Sequence, residues 1–101
     1  MELDRARQRL AECRTLIDEF DVKLVDLLNE RTRIVLEIGR VKQELAAPIY
    51  EPKREEQVFQ NVTSHNSGPL SDEALKRVFE RIIDEMRTVQ HQRMKKKEGS
   101  C

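Results

Sequence analysis

A regular stripe of apolar and small positions starts at the N-terminus and continues to residue 45 without a proline. Thirteen positions alternate at spacings of three and four, and all but Arg31 are apolar or small: Leu3, Ala6, Leu10, Cys13, Ile17, Phe20, Leu24, Leu27, Arg31, Ile34, Ile38, Val41 and Leu45. This spacing places every member on one face of an α-helix, as in the seam of a coiled coil. The pattern predicts a single helix over residues 3–45, which at 1.5 Å per residue would be about 65 Å long.

Such a helix is too long to be covered by the rest of a chain of 101 residues. A compact globule of this size has a radius of gyration of about 13 Å. The apolar face would therefore remain in contact with water unless something else covers it. The sequence predicts that a second copy of the chain lies along this helix and that the protein is a homodimer.

Two shorter helices are predicted after the first. Pro48 ends the first helix, because a proline has no amide donor and disfavours the α conformation of the residue before it. Pro52 suits the first position of a second helix, which stops in the polar stretch 64–69. Ser71 is a suitable N-cap for a third helix, which is expected to fray near Met94. The predicted fold class is all-α, with one very long, one short and one medium helix.

The pattern indicates one domain over residues 1–94 and a disordered charged tail over residues 95–101. Composition agrees with a helical fold, since charged residues make up 38% of the chain and there are only three glycines and three prolines. The 19 basic and 19 acidic residues give a formal net charge of zero. No overall field therefore attracts nucleic acid or an anionic membrane. We expect neither as a partner.

The N-terminal residues are too charged for a signal peptide, and no apolar run has the length of a membrane span. Cys13 and Cys101 lie at opposite ends of the chain without the spacing of a disulfide framework or a metal motif. His65 and His91 also lack a neighbour that would complete a metal site. These features predict a cytoplasmic protein without a bound metal.

Three polar side chains lie where candidate chemistry is expected. Arg31 occupies a position on the apolar stripe, and Lys42 follows 11 residues later, which returns to within about 20° of the same face about 16 Å along the axis. Two such cations could hold one small anion between them. Arg31 could equally pair with an acidic residue of a second chain. Gln90, on the apolar stripe of the third helix, is either a satisfied core amide or a ligand contact.

Segments of all three predicted helices, taken together and in register, resemble the all-helical chorismate mutase family. They are Arg14 and residues 18–21, 27–31, 38–42, 48–55 and 82–90. The resemblance extends from about residue 3 to residue 93. It implies an intertwined homodimer with two active sites, which convert the small molecule chorismate into prephenate without a cofactor or a metal.

The resemblance also implies roles for individual residues. Arg31 and, from the second subunit, Arg14 correspond to the arginines that bind the two carboxylates of the substrate, a role for which the planar guanidinium is suited. Lys42 and Gln90 correspond to the two groups that donate hydrogen bonds to the ether oxygen. These four residues are the predicted catalytic residues.

Further substrate-binding positions follow from the same resemblance. Glu55 corresponds to the carboxylate that accepts the ring hydroxyl, and Arg54 and Glu51 correspond to neighbouring positions of the site. The chain departs from the family pattern at two of its positions. Glu51 replaces a common aspartate, which is tolerable if the backbone amide makes the contact. Met86 replaces a small hydroxyl residue, so one donor is absent and weaker ground-state binding is expected.

Helix geometry alone predicts that sites are shared between subunits. Arg14 and Lys42 are 28 residues apart, or about 42 Å along one helix, so they cannot contact one small molecule within a chain. If two long helices pair antiparallel about residue 24, Arg14 of one chain faces residue 34 of the other, between Arg31 and Lys42. A parallel pairing would instead oppose two copies of Arg31.

Three other functions fit the same sequence. An isochorismate-pyruvate lyase shares the fold and the cationic site, although the segment 48–52 favours the mutase. A regulatory or substrate-channelling domain of a larger enzyme would be only weakly active alone. A non-enzymatic helical dimerisation module would use Arg31 and Lys42 only to pair with acidic residues, and a dicarboxylate analogue would then leave its melting temperature unchanged.

Overall fold

The computed structural model describes residues 2–99 of the chain, and the side chains of residues 2–94. The chain forms α1 (Glu2–Glu44), α2 (Pro52–Ser64) and α3 (Asp72–Gly99), and no strand occurs among the residues described. The all-α fold class with a long, a short and a medium helix is therefore confirmed. Within the same residues, no helix has both the length and the hydropathy needed to cross a membrane.

Contacts divide the chain into two units, with the boundary between Arg33 and Ile34. The first unit consists of the N-terminal part of α1, whose first turn carries Glu2 and Asp4. Negative charge at this end is favourable because the helix dipole is positive there. The large apolar members of the stripe in this unit are 49% to 71% exposed: Leu3, Leu10, Ile17, Phe20, Leu24 and Leu27.

The second unit contains the C-terminal part of α1 together with α2 and α3, and α2 packs against α3. Among the described side chains of this unit, Met86 and Gln90 are the ones that are buried, and Gly39 is buried beside Gln90. The stripe residues stay exposed here too: Ile34, Ile38 and Val41 on α1, and Leu45 directly after it. A single chain therefore leaves an apolar face of α1 uncovered in each unit.

The end of α1 is closed by a Schellman motif. The Ala47 N–H donates to the Lys42 carbonyl at 2.8 Å, and the Ala46 N–H donates to the Gln43 carbonyl at 3.2 Å. Ala46 itself has a φ of 53°, in the left-handed region that favours glycine. The predicted end of the first helix near residues 46–48 is thus correct, and Pro48 follows the motif as expected.

We expect Ala46→Gly to stabilise the protein by about 0.5 to 1 kcal/mol. A left-handed conformation costs a residue with a Cβ about 1–2 kcal/mol, and part of that gain is offset by the greater freedom of glycine in the unfolded chain. Urea unfolding should show a higher midpoint with an unchanged m-value. The matched control is Ala47→Gly, which lies outside the positive-φ region and should not raise the midpoint. Equal midpoints for Ala46→Gly and the wild type would contradict this account.

The start of α2 agrees with the sequence prediction, because Pro52 occupies its first turn. Glu51 is the N-cap, and its backbone carbonyl accepts the N–H groups of Arg54 and Glu55, each at 3.1 Å. Its side chain makes no capping hydrogen bond. The Glu51 carboxylate is therefore available for another contact.

The start of α3 was also predicted correctly, because the Ser71 hydroxyl accepts the Ala74 N–H at 3.1 Å. The predicted end was wrong, since the helix continues through Gly99 instead of fraying near Met94. Lysine and glutamate at 95–98 are good helix formers, and no helix breaker occurs before Gly99. The predicted division into a domain over residues 1–94 and a charged tail over residues 95–101 stays a prediction, and residues 100 and 101 lie outside the described residues.

Candidate active site

The C-terminal part of α1 presents three positions on one face towards other parts of the second unit. Val35, Gly39 and Lys42 follow the i, i+4, i+7 spacing of a helix face. The side-chain amide of Gln90 on α3 donates through Nε2 to the Val35 carbonyl at 2.8 Å. Gln90 is only 8% exposed, so this bond satisfies a buried donor and fixes the amide against α1.

Gly39 lies next to this amide and places no side chain against it. A Cβ at position 39 would lie 3.6 Å from Cγ and 3.8 Å from Nε2 of Gln90, which is ordinary van der Waals contact. Packing within the chain therefore does not require glycine. The Nε2 group has two N–H donors, and one of them is used by Val35. The second can serve a ligand.

Lys42 is held at the connection between α1 and α2. Its ammonium donates to the Ile49 carbonyl at 2.9 Å and forms an ion pair with the Glu51 carboxylate at 2.5 Å. The side chain of Lys42 is only 16% exposed. An ammonium has three donors, so these two contacts orient the group and leave one N–H for a ligand.

A second ion pair joins α2 to α3. The Arg87 guanidinium pairs with the Glu55 carboxylate, and its Cζ lies 4.8 Å from the centroid of the Tyr50 ring. Sequence reasoning missed Arg87. The available signal was its position, four residues after Ile83 and three before Gln90, which borders the apolar stripe of α3.

Four of the predicted site residues make contacts within the second unit, in two ion pairs and one hydrogen bond. We call this group the polar cluster, and it consists of Lys42, Glu51, Glu55, Gln90 and the additional residue Arg87. Its two cations and two carboxylates balance in formal charge. Met86, which is not among the predicted site residues, is buried on α3.

The other predicted residues have different surroundings. Arg54 is exposed at the start of α2 and donates to the Gln57 side-chain carbonyl at 3.4 Å. Arg14 is exposed and Arg31 half-buried, and both belong to the first unit. Their predicted contacts with a substrate remain predictions. No group of three or more His, Cys, Asp or Glu residues within the described part of the chain could hold a metal ion.

Comparisons with known proteins show which family the chain is similar to. The family model described as chorismate mutase type II matches residues 13–91. The chain is 36% identical to a chorismate mutase (form II) from Thermus thermophilus, with a TM-score of 0.81 over 82% of this chain and 94% of that chain. It is 34% identical to the chorismate mutase of Helicobacter pylori in complex with prephenate, with a TM-score of 0.79 over 85% and 93% of the two chains.

A longer relative is the bifunctional chorismate mutase/prephenate dehydratase of Pseudomonas aeruginosa. It is 35% identical over 82 residues, which cover 76% of this chain and 22% of that protein. The chain thus spans about a fifth of the length of this relative. The chain is thus an all-helical protein in which two cationic side chains are each paired with a carboxylate. The chain belongs to the chorismate mutase type II family.

Proposed function

We propose that this protein is a chorismate mutase, which converts chorismate into prephenate without a cofactor or a metal. The observation that carries the proposal is the pair of oriented donors in the second unit. The Lys42 ammonium and the Gln90 amide are each fixed by a backbone carbonyl, and each retains an N–H for a ligand. Their positions match the two donors that the family resemblance assigns to the ether oxygen.

These donors suit the chemistry of the rearrangement. Chorismate rearranges in one concerted step, in which the ether C–O bond breaks as a new C–C bond forms, so no nucleophile or general base is needed. Negative charge grows on the ether oxygen in the transition state. An ammonium and an amide that are already held in place, and that donate to this oxygen, would stabilise the transition state more than the ground state and so accelerate the reaction.

Binding of the substrate requires additional positive charge. Chorismate is a dianion, whereas the polar cluster is balanced in formal charge. We infer that Arg31, Arg54 and the Arg14 of a second subunit supply the missing charge by pairing with the two carboxylates. They would also hold the enolpyruvyl group over the ring and so reduce the entropy lost in reaching the transition state.

A second subunit is supported by the exposed apolar face of α1. The uncovered residues are large: in the second unit Ile34 is 63% and Leu45 is 71% exposed. Full burial of such a side chain contributes about 1.5–3 kcal/mol relative to exposure, and contiguous apolar surface of this kind is typical of interaction sites. We propose that two α1 helices pair antiparallel in an intertwined homodimer, with Arg14 of each chain serving the site of the other.

We further propose that the protein acts in the cytoplasm. Cys13 is a free cysteine in the structure, which is consistent with the reducing compartment that the cysteine pattern predicts. The proposed partners are chorismate and a second copy of the chain. Neither nucleic acid nor a membrane is proposed as a partner, because the formal net charge is zero.

Gln90→Glu should make the activity dependent on acid pH. Only a protonated carboxyl can donate to the ether oxygen or to the Val35 carbonyl, which accepts from Gln90 at 2.8 Å. Burial and the adjacent carbonyl disfavour the charged form, so the pKa of the introduced carboxyl should be raised. Activity should therefore be present below this pKa and fall as the pH rises through it. A kcat/KM profile with the shape of the wild-type profile would remove Gln90 from the site, and parallel melting curves at each pH separate loss of folding from loss of catalysis.

Identification of the products from two substrates tests the proposed function. Purified protein is incubated separately with chorismate and with isochorismate, and the products are separated by chromatography. We expect prephenate from chorismate and little turnover of isochorismate. Release of pyruvate from isochorismate with no prephenate from chorismate would indicate the lyase instead. No turnover of either, together with a melting temperature unaffected by a dicarboxylate analogue, would indicate a dimerisation module.

A further inference from the structure

Arg87 occupies a position that connects three parts of the second unit. It lies on α3, its guanidinium pairs with Glu55 in the first turns of α2, and it lies over the ring of Tyr50 in the connection that follows α1. A further ion pair with Asp84, at 3.7 Å, comes from its own helix. The side chains of Arg87 and Glu55 are 29% and 25% exposed, so this pair is more shielded from solvent than the other side-chain pairs of α3.

Glu55 needs such a partner if it is to face a dianionic substrate. Two carboxylates belong to the polar cluster, and Glu51 is already paired with Lys42. An unpaired Glu55 carboxylate would repel the substrate and would be costly to shield from water. Arg87 neutralises the negative charge of Glu55, and its planar guanidinium fixes the direction of the carboxylate.

The ion pair with Arg87 leaves Glu55 able to accept a further hydrogen bond. Arg87 engages Oε2, and an ionised carboxylate accepts hydrogen bonds on both of its oxygens. The carboxylate therefore keeps acceptor sites for the ring hydroxyl while it is paired with Arg87. The Tyr50 ring limits the movement of the Arg87 guanidinium through a cation–π contact. The guanidinium in turn limits the directions that the Glu55 carboxylate can take.

We propose that Arg87 is a positioning residue of the active site, which orients and neutralises Glu55 for the ring hydroxyl of the substrate. This inference rests on the proposed function and deepens it. The ring hydroxyl takes no part in the bonds that break and form, so we expect its hydrogen bond to contribute about equally to the ground and transition states. Loss of Arg87 should therefore raise KM and leave kcat nearly unchanged.

The expected effect of Arg87→Met is a rise in KM of about 10-fold, since a hydrogen bond to a charged group contributes about that factor or more, with kcat changed by less than about 2-fold. Arg87→Lys keeps the positive charge but loses the planar guanidinium over the Tyr50 ring, so its KM should lie between those of the wild type and Arg87→Met. The matched control is Arg81→Met, which removes an exposed arginine of the same helix with an ion pair to Glu85 and should not change KM.

A double-mutant cycle decides whether Arg87 acts through Glu55. Arg87→Met and Glu55→Gln are combined, and KM, kcat and the melting temperature are measured for all four proteins. We expect Arg87→Met to raise KM by about 10-fold in the wild-type background and by less than about 2-fold in the Glu55→Gln background.

Two outcomes would overturn the inference. An equal rise in KM in both backgrounds would mean that Arg87 acts independently of Glu55, for example by contacting the substrate itself. A fall in melting temperature without any change in KM would leave only a structural role. No turnover of chorismate by the wild type would instead overturn the proposed function, and the melting temperatures would then show separately whether Arg87 and Glu55 are coupled in the fold.

Discussion

Lys42→Ala is expected to lower kcat by about 100-fold to 1000-fold, which corresponds to the loss of about 2.7–4 kcal/mol of transition-state stabilisation. The ammonium is already fixed by Ile49 and Glu51 in the structure. It therefore needs little reorganisation when negative charge appears on the ether oxygen. Because this charge exists only during reaction, the loss should fall mainly on kcat. Steady-state kinetics with chorismate measures it directly.

Folding must be separated from catalysis in this variant, because Lys42 also ties α1 to the connection at Ile49. Melting curves of Lys42→Ala and Lys42→Gln should show only a modest loss of stability beside the fall in kcat. Lys76→Ala is a suitable control, since Lys76 is exposed and its ammonium lies over the Phe59 ring on α2. It should leave kcat unchanged. A Lys42→Ala protein with the kcat of the wild type would show that the assigned mechanism is wrong.

Arg14→Ala and Lys42→Ala homodimers should both be almost inactive, yet a mixture of the two should regain activity. If each site uses Arg14 of one chain and Lys42 of the other, a heterodimer contains one doubly damaged site and one intact site. Random exchange makes about half of the dimers heterodimers, so about a quarter of the wild-type activity should return. The assay is chorismate turnover before and after exchange of subunits.

Exchange has to be verified independently, for example by mass spectrometry of differently tagged chains. An additional mixture provides the control: two separately tagged Arg14→Ala proteins exchange in the same way but cannot form an intact site. No recovery after verified exchange of Arg14→Ala with Lys42→Ala would mean that Arg14 does not act across the interface. The shared-site proposal would then have to be abandoned.

Much of the fold could be predicted because its boundaries are marked by residues with strong local preferences. Pro48, Pro52 and Ser71 each identified a helix end from their own chemistry, and the described helices begin and end close to them. The C-terminal end of α3 was missed because residues 95–98 lack apolar positions but favour helix. A periodicity of apolar residues detects where a helix packs, and it cannot detect how far an unpacked helix continues.

The candidate site could be predicted only in part. Lys42, Glu51, Glu55 and Gln90 are predicted from the resemblance, and each makes a side-chain contact within the second unit. Arg87 was missed because its partner Glu55 is 32 residues away in the chain. An arginine beside an apolar stripe is also typical of an ordinary solvated helix face, so only the three-dimensional contact distinguishes it.

The most direct test of the central claim is the rate at which the purified protein consumes chorismate, followed by the loss of its absorbance in buffer that contains EDTA. We predict a rate that is proportional to the protein concentration, far above the uncatalysed rate, unaffected by EDTA, and accompanied by an equal amount of prephenate. A rate equal to that of buffer alone, with protein shown to be folded and dimeric, would contradict the proposal that this chain is a chorismate mutase.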